Sequence, residues 1–276
     1  MISIGKYNTM KVVKLVEFGV YLDGEEHGEI LMPKRYVPKG TKPGDEVMVF
    51  LYLDSSDRLI ATTETPRGQV GEFACLKVAA VNQIGAFMDW GLMKDILVPF
   101  REQKMDMEVG RWYVVFIYFD EQSGRIAATA KLDKYLDNYA LDIEEGEEVD
   151  LLVVNKTDLG FKVIVNSKFW GVVYENEVFR PLKAGDKLKG YLKKIRQDEK
   201  LDISLSKTGF AKVESLEDRI LDKIKENGGL LRVTDKSSPE IIYQIFGESK
   251  KTFKKAVGVL YKKRLILLEE DGIRLV

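Results

Sequence analysis

The chain has 276 residues, with 43 lysines and arginines against 44 aspartates and glutamates, so its formal net charge is −1. This near-neutral balance excludes a histone-like protein that binds its partner through whole-surface charge. Hydrophobic residues make up 45% of the chain and charged residues 32%, which indicates globular domains with buried cores rather than a disordered polypeptide.

The sequence lacks the patterns that send a protein into or across a membrane. Its longest apolar stretch, Val114 to Phe119, is far shorter than the roughly 18 residues of a spanning helix. The N-terminal residues lack the basic and apolar blocks of a secretory signal. We therefore expect a cytoplasmic protein with no membrane partner.

Residues that carry enzyme chemistry are scarce. The single cysteine, Cys75, has no neighbours at metal-ligand spacing and is expected to be a buried small hydrophobe. The single histidine, His27, lies in the polar turn 23–28 without a nucleophile to complete a catalytic pair, which favours a solvated loop residue. We predict a non-enzymatic protein with no catalytic residue, no metal site and no cofactor.

An internal repeat organises the first three quarters of the chain. Three pairs of glycines keep the same spacing: Gly19 with Gly44, Gly85 with Gly110, and Gly160 with Gly185. Around them, short alternating or β-branched runs are separated by Gly, Pro and Asp turns, which predicts five strands per unit. The units are assigned to residues 1–66, 67–134 and 135–210. A five-stranded OB barrel is favoured, and an SH3-like barrel remains the alternative.

The first unit carries the motifs of a known domain. It reads FGVYL at 18–22, EILMP at 29–33, GDEV at 44–47 and RL at 58–59. This order resembles the S1 domain, an RNA-binding OB barrel. Three such units before a C-terminal helical module resemble the bacterial family of conserved virulence factor B, which has tandem S1-type domains and a winged helix.

The resemblance implies an RNA-facing surface on each barrel, made of two aromatics, a histidine and a basic residue. The matching positions in the first unit are Phe18, Tyr21, Met32 and Arg58. Those in the second unit are Ile84, Phe87, Val98 and Arg125, with Trp90 close by. Those in the third unit are Leu159, Lys162, Tyr174 and Lys200, with Phe161 beside them.

The departures from the family pattern concentrate the expectation on the first unit. No unit keeps the histidine, and only the first keeps both aromatics. Strand alternation would place Phe18 and Tyr21 on opposite faces, so a bulge or a bend at Gly19 is predicted to bring them together. The alternative is that these aromatics are barrel core. Trp112 and Phe116 are assigned to packing, because their run is apolar on both faces and predicts that the middle barrel packs on a neighbour.

The segment that joins the second and third units is acidic. Its carboxylates, between Asp142 and Asp150, are interpreted as a solvated linker rather than a metal site. Apolar residues at helical spacing predict a short helix over 131–139.

From Ser215 onward the hydrophobic period changes from two to 3.6, which predicts a winged helix over 211–276. Ser215 and Asp218 resemble a capping box for the first helix. Ser238 before Pro239 starts a second helix, and Ser249 a third. A short strand, 230–233, and a hairpin turning at 271–272 complete the pattern.

The third helix of this module is predicted to carry a basic ridge. Residues 211–276 hold 14 basic and 11 acidic residues, and residues 248–264, around this helix, hold seven basic residues and one acid. A solvated amphipathic face is the alternative, but the excess of lysine favours a nucleic-acid contact. The ridge is made of Lys250, Lys251, Lys254, Lys255 and Lys262, together with the adjacent Lys263 and Arg264.

Taken with the family resemblance, the sequence predicts a protein that binds single-stranded RNA and regulates gene expression after transcription, including virulence traits in some species. Duplex nucleic acid at the winged helix, and the ribosome or RNA-processing proteins, are the further expected partners. A DNA-binding regulator whose barrels contact proteins, and an interaction scaffold without nucleic-acid affinity, are the alternatives.

Overall fold

The computed structural model describes residues 2–137, 143–178, 180–196, 198, 200–206, 216–234, 237–269 and 272–276. The chain forms two compact regions, the N-terminal region Met1–Ser206 and the C-terminal region Lys207–Val276. The N-terminal region contains three barrels and the C-terminal region a winged helix. The predicted fold class, mainly β with a C-terminal α/β module, is therefore confirmed.

The first barrel closes in the strand order β1-β2-β3-β5-β4. Four of the five strand pairs are antiparallel, and β3 pairs with β5 in parallel. This closed five-stranded order is the OB arrangement, which decides against the SH3-like alternative. Its strands are β1 Tyr7–Val16, β2 Gly19–Asp23, β3 Glu29–Pro33, β4 Glu46–Leu53 and β5 Leu59–Thr62.

The other two barrels repeat this order. The second consists of β6 Phe73–Val81, β7 Gly85–Asp89, β8 Ile96–Pro99, β9 Trp112–Asp120 and β10 Arg125–Thr129. The third consists of β11 Glu148–Thr157, β12 Gly160–Val165, β13 Phe169–Tyr174, β14 Lys187–Ile195 and β15 Leu201–Ser204.

The repeated glycine at the start of each second strand has a steric cause. Gly19, Gly85 and Gly160 have φ angles of 158°, 153° and 142°. A Cβ at any of the three would clash with the carbonyl oxygen of Met32, Val98 or Val173 on the next strand. Only glycine permits this approach of two backbones, which explains why the residue recurs at constant spacing.

The predicted bulge is present, but on a different strand. The pairing of β1 with β2 skips Val13, between Val12 and Lys14, and no shift falls at Gly19. Phe18 instead lies in the turn before β2, where strand alternation does not apply. The corresponding register shifts follow Val78 in β6 and Val153 in β11, so the bulge belongs to the repeat.

The three barrels of the N-terminal region are packed against each other. Phe50 of the first barrel lies in the same buried cluster as Trp90 of the second, with ring centroids 5.7 Å apart. A further cluster joins Phe73 of the second barrel to Ile164 of the third. The predicted packing of the middle barrel on a neighbour is therefore confirmed.

The apolar run of β9 divides between packing and exposure. Phe116 stacks on Tyr135 with centroids 3.8 Å apart, as its assignment to packing predicted. Trp112, at the first position of β9, is 50% exposed, so its assignment to packing was wrong. The strand start lies beyond the inter-barrel cluster, which leaves the ring partly in solvent.

The linker between the second and third barrels contains a 3-10 helix, Leu132–Tyr135, shorter than the predicted helix over 131–139. Residues 138–142, and with them Asp142, lie outside the described residues. In the described part of the linker, Glu144 and Glu147 form a turn that leads into β11. Among the residues that the structure describes, no group of His, Cys, Asp and Glu could hold a metal ion.

The C-terminal region is a winged helix with a three-stranded sheet in the order β16-β18-β17. The predicted caps at Ser238 and Ser249 are confirmed, since their side chains accept from the amides of Ile241 and Thr252. The predicted cap at Ser215 lies outside the described residues. The elements are α1 Leu216–Glu226, β16 Leu230–Leu231, α2 Pro239–Phe246, α3 Lys250–Lys262, β17 Ile266–Leu268 and β18 Ile273–Leu275.

Within the described ranges, none of the helices has the length and apolar character required to cross a bilayer.

Candidate nucleic-acid interface

The first barrel presents an aromatic pair on its surface. Phe18 is 57% exposed and Tyr21 is partly exposed. Their ring centroids are 6.3 Å apart and the planes meet at 84°, an edge-to-face contact. The turn that holds Phe18 is fixed by the Lys34 amide, which donates to the Phe18 carbonyl at 2.8 Å. The two rings therefore share one surface, where planar bases can stack.

Lys14 adds a cation to this pair. Its Nζ lies 4.8 Å from the centroid of the Tyr21 ring and also forms an ion pair with Glu29. Sequence reasoning missed Lys14. The available signal was the β1–β2 hairpin, since Lys14 pairs directly with Tyr21 across it.

Two other residues assigned to the first barrel differ in their accessibility. Met32 is fully buried in the barrel core, so its assignment as an RNA contact was wrong. It pairs with Val20, also buried, and both side chains point inward. The Arg58 side chain is 77% exposed and donates two hydrogen bonds to Asp54, at 3.0 and 2.8 Å.

Each barrel has two accessible side chains near the repeated glycine at the start of its second strand, one before the glycine and one after it. Phe18, Ile84 and Leu159, which precede the glycine, are 57%, 56% and 62% exposed. Two residues after the glycine, each barrel places a partly exposed side chain, namely Tyr21, Phe87 and Lys162. The surface is thus built three times, but it is aromatic at both positions only in the first barrel.

Arg125, the cation predicted for the RNA surface of the second barrel, is in contact with the first barrel. Arg125 forms an ion pair with Asp57, which lies in the β4–β5 turn of the first barrel and also accepts from Lys94 at 2.8 Å. The hydrogen bond from Lys94, followed by that from Arg125, holds the pKa of Asp57 below its ordinary value. Arg125 and Phe87 line a cavity of about 250 Å³ at this contact.

Trp90 is a core residue rather than an RNA contact. It is 3% exposed, and its indole N–H donates to the Lys94 carbonyl at 2.7 Å. Its assignment to the RNA surface was wrong, because the neighbouring first barrel covers it with Phe50.

In the third barrel, the predicted residues have separate environments. Phe161 is 7% exposed in the barrel core, so its assignment to the surface was wrong. Lys162 lies over the Trp170 ring at 3.5 Å from its centroid, and desolvation lowers the pKa of this amine. The Tyr174 hydroxyl donates to Asp202, and the exposed Lys200 pairs with Asp198, each at 3.1 Å.

The third helix of the winged helix has one buried side and one exposed side. Its buried side includes Phe253 and Leu260. At the exposed Gly258 a Cβ would have no atom within 4 Å. The lysines on the exposed side are Lys251, Lys254, Lys255 and Lys262, and Lys250 is partly exposed at the helix start.

The domain comparisons agree with this architecture. Residues 4–64 and 70–131 match the S1 domain family, and residues 218–275 match the CvfB-like winged helix domain. These matches cover the first two barrels and the winged helix, which defines the chain as a protein with tandem S1 domains and a winged helix, both classes of nucleic-acid-binding domain.

Curated relatives align along most of the chain. Conserved virulence factor B of Staphylococcus epidermidis is 28% identical over 84% of this chain and 80% of its own length. The Staphylococcus aureus protein of that name is 27% identical over the same shares. Bacillus subtilis YitL is 26% identical over 97% of this chain and 92% of its own length. The chain belongs to the conserved virulence factor B family.

A solved structure was also found along the full length. It is described as a multidomain protein with nucleic acid binding domains from Streptococcus pneumoniae. It is 22% identical, with a TM-score of 0.45, over 99% of this chain and 98% of its own.

Proposed function

We propose that this protein binds single-stranded RNA without catalysing a reaction, and that it regulates gene expression after transcription. The observation that carries the proposal is the pair of accessible rings at Phe18 and Tyr21 beside the Lys14 amine. Stacking of a base on such a ring contributes about 1–3 kcal/mol and does not depend on base identity. Unstacked bases are available in single strands and not in duplexes, which favours a single-stranded ligand.

The winged helix supplies the electrostatic part of the proposed binding. Lysines along the exposed side of α3 neutralise backbone phosphates and release counterions. A strand that contacts both the barrel and the winged helix gains from effective concentration, by factors of roughly 100 or more where the chain spans both sites. We propose duplex nucleic acid as a further ligand of α3, and the ribosome or RNA-processing proteins as partners.

Fluorescence anisotropy with labelled single-stranded RNA, single-stranded DNA and duplex DNA, each at two salt concentrations, tests the proposal. We expect the tightest binding to single-stranded RNA. The double substitution Phe18→Ala with Tyr21→Ala should weaken that binding by roughly 5-fold to 150-fold, which corresponds to about 1–3 kcal/mol. The salt dependence should stay nearly unchanged, because neither ring contacts a phosphate through charge.

Met48→Ala is the matched control, since this apolar side chain is 69% exposed on β4 of the same barrel. It should leave the Kd unchanged. Equal affinity of the wild type for single-stranded RNA and duplex DNA, or equal effects of the control and the double substitution, would contradict the proposal.

The exposed lysines of α3 favour a second candidate function, a DNA-binding regulator whose barrels contact proteins. Preference for duplex DNA in the same titration, together with its loss on Lys251→Glu and Lys255→Glu, would establish that alternative.

A further inference from the structure

We infer that the second and third barrels together form a further binding site for single-stranded RNA, in the groove between them. The inference rests on the proposed function and extends the third-barrel position Lys162, assigned from the sequence, to a site shared with the second barrel. The groove has a volume of about 700 Å³, within the range of roughly 300–1,000 Å³ typical of ligand sites. Its residues come from both barrels and from the linker, including Trp112, Leu132 and Lys183.

The wall contributed by the second barrel is apolar and accessible. Trp112 is 50% exposed and Met105 is 68% exposed, and both line the groove. The Arg67 guanidinium lies 5.9 Å from the Trp112 ring centroid, so the ring already has a cation beside it. A large indole plane left half in solvent beside an exposed methionine is a surface suited to a planar apolar ligand.

The wall contributed by the third barrel belongs to its β12–β13 face. In OB barrels the second and third strands form the face that binds oligonucleotides. Here part of that face is covered, since Ile164 is 1% exposed in the cluster shared with the second barrel. Lys162 and Trp170, on the same two strands, remain at the groove. A ligand on this face of the third barrel therefore also meets Trp112 of the second.

The charge of the groove favours a polyanion. Four lysines line it, and the described lining residues include no carboxylate. Three of these lysines are paired with acids beside the groove: Lys104 with Asp133 at 2.6 Å, Lys156 with Glu175 at 2.8 Å, and Lys162 with Asp133 at 3.9 Å. Lys183 is exposed and forms no ion pair with the residues that the structure describes. A cation without a carboxylate partner, close to an aromatic plane, is typical of single-strand binding.

Asp133 holds the two walls in place. It accepts from Lys104 of the second barrel, and from the Trp170 indole N–H of the third at 2.9 Å. Lys162 Nζ lies 3.9 Å from the same carboxylate and 3.5 Å from the Trp170 centroid. These contacts fix the groove without a ligand, which reduces the entropy lost on binding.

The test compares Trp112→Ala with Phe100→Ala, a control from the same barrel that is 48% exposed and does not line the groove. Single-stranded RNA binding is measured by anisotropy. We expect Trp112→Ala to raise the Kd by roughly 5-fold to 150-fold, Trp112→Phe to restore most of the affinity, and Phe100→Ala to change nothing. Lys183→Gln should lower the salt slope by about 0.7.

Photocrosslinking with thiouridine-labelled RNA and trypsin digestion gives a readout that does not depend on a substitution. Cleavage after Lys14 and after Arg111 places the two candidate sites on different peptides, 15–34 and 112–125. The inference predicts crosslinks on both. Crosslinks on 15–34 alone, with equal affinity of Trp112→Ala and Phe100→Ala, would overturn the groove site and leave the proposed function standing. Absence of RNA binding by the wild type would overturn both.

Discussion

The substitution Phe50→Ala should destabilise the contact between the first two barrels. Phe50 is fully buried, and its ring makes edge contacts with Tyr7 and Trp90 at centroid distances of 5.4 and 5.7 Å. Removal of a buried phenylalanine costs about 3–5 kcal/mol in the free energy of unfolding. Each aromatic pair contributes about 0.5–1.5 kcal/mol beyond area burial, so we expect the upper part of that range.

Urea denaturation measures this cost, with Trp90 as the reporter. The chain has three tryptophans, so Trp112→Phe and Trp170→Phe leave Trp90 alone at the inter-barrel contact. In that background Phe50→Ala should lower the free energy of unfolding by about 4–5 kcal/mol and shift the Trp90 emission to longer wavelength.

Met48→Ala is the control for this experiment as well, because Met48 lies on the same strand and is 69% exposed. It should change the free energy of unfolding by no more than about 0.5 kcal/mol. A loss below about 1 kcal/mol for Phe50→Ala, or an unchanged Trp90 spectrum, would refute the reasoning that this ring joins the two barrels.

Three further predictions concern charge and access. Lys251→Glu with Lys255→Glu should reduce the salt slope of RNA binding by about 1.4 or more, measured by anisotropy across a salt series, and an unchanged slope would exclude α3 from binding. The pKa of Asp57 is lowered, so its contacts with Lys94 and Arg125 stabilise the fold above a pH of about 3.9, and this stabilisation is lost as the pH falls through the folded-state pKa. Asp57→Asn should therefore lower the free energy of unfolding at neutral pH but not in acid. An equal loss at both pH values would contradict this. Burial raises the pKa of the Cys75 thiol to about 11, so thiol reagents should react with it slowly at neutral pH, and rapid reaction in the native chain would contradict the burial.

The fold could be predicted from the sequence because its determinants are local. The glycine pairs mark positions where only one residue type fits, as the clash of a Cβ at Gly160 with the Val173 carbonyl illustrates. The winged helix is likewise marked by caps such as Ser238, whose hydrogen bond depends on neighbours within three residues. Strand spacing alone does not specify pairing, so the choice of the OB order over an SH3-like one rested on the resemblance to S1 domains, and the structure confirms it.

The site could be predicted only in part, because accessibility depends on register and on neighbouring barrels. The residue after each repeated glycine faces inward, so Val20, Ala86 and Phe161 are all buried. Phe161 could have been excluded by comparison with Val20, whereas the sequence contains no local signal for the burial of Trp90. That burial comes from Phe50, a residue of a different barrel.

The third barrel shows how a register error alters a site assignment. Phe161 pairs with Val173, as Val20 pairs with Met32. The position of Met32 therefore corresponds to the buried Val173 and not to Tyr174, to which the sequence comparison assigned it. One residue of shift in a strand exchanges the inner face for the outer one, so matching motifs by eye is least reliable here.

The aromatic surface of the first barrel is the central claim, and amide chemical shifts of the ¹⁵N-labelled chain during titration with a short single-stranded RNA test it most directly. We predict the largest saturable shifts at Phe18–Tyr21 and at Lys14, with no comparable shift at Met48. Saturable binding that leaves the amides of Phe18–Tyr21 unmoved would contradict the claim.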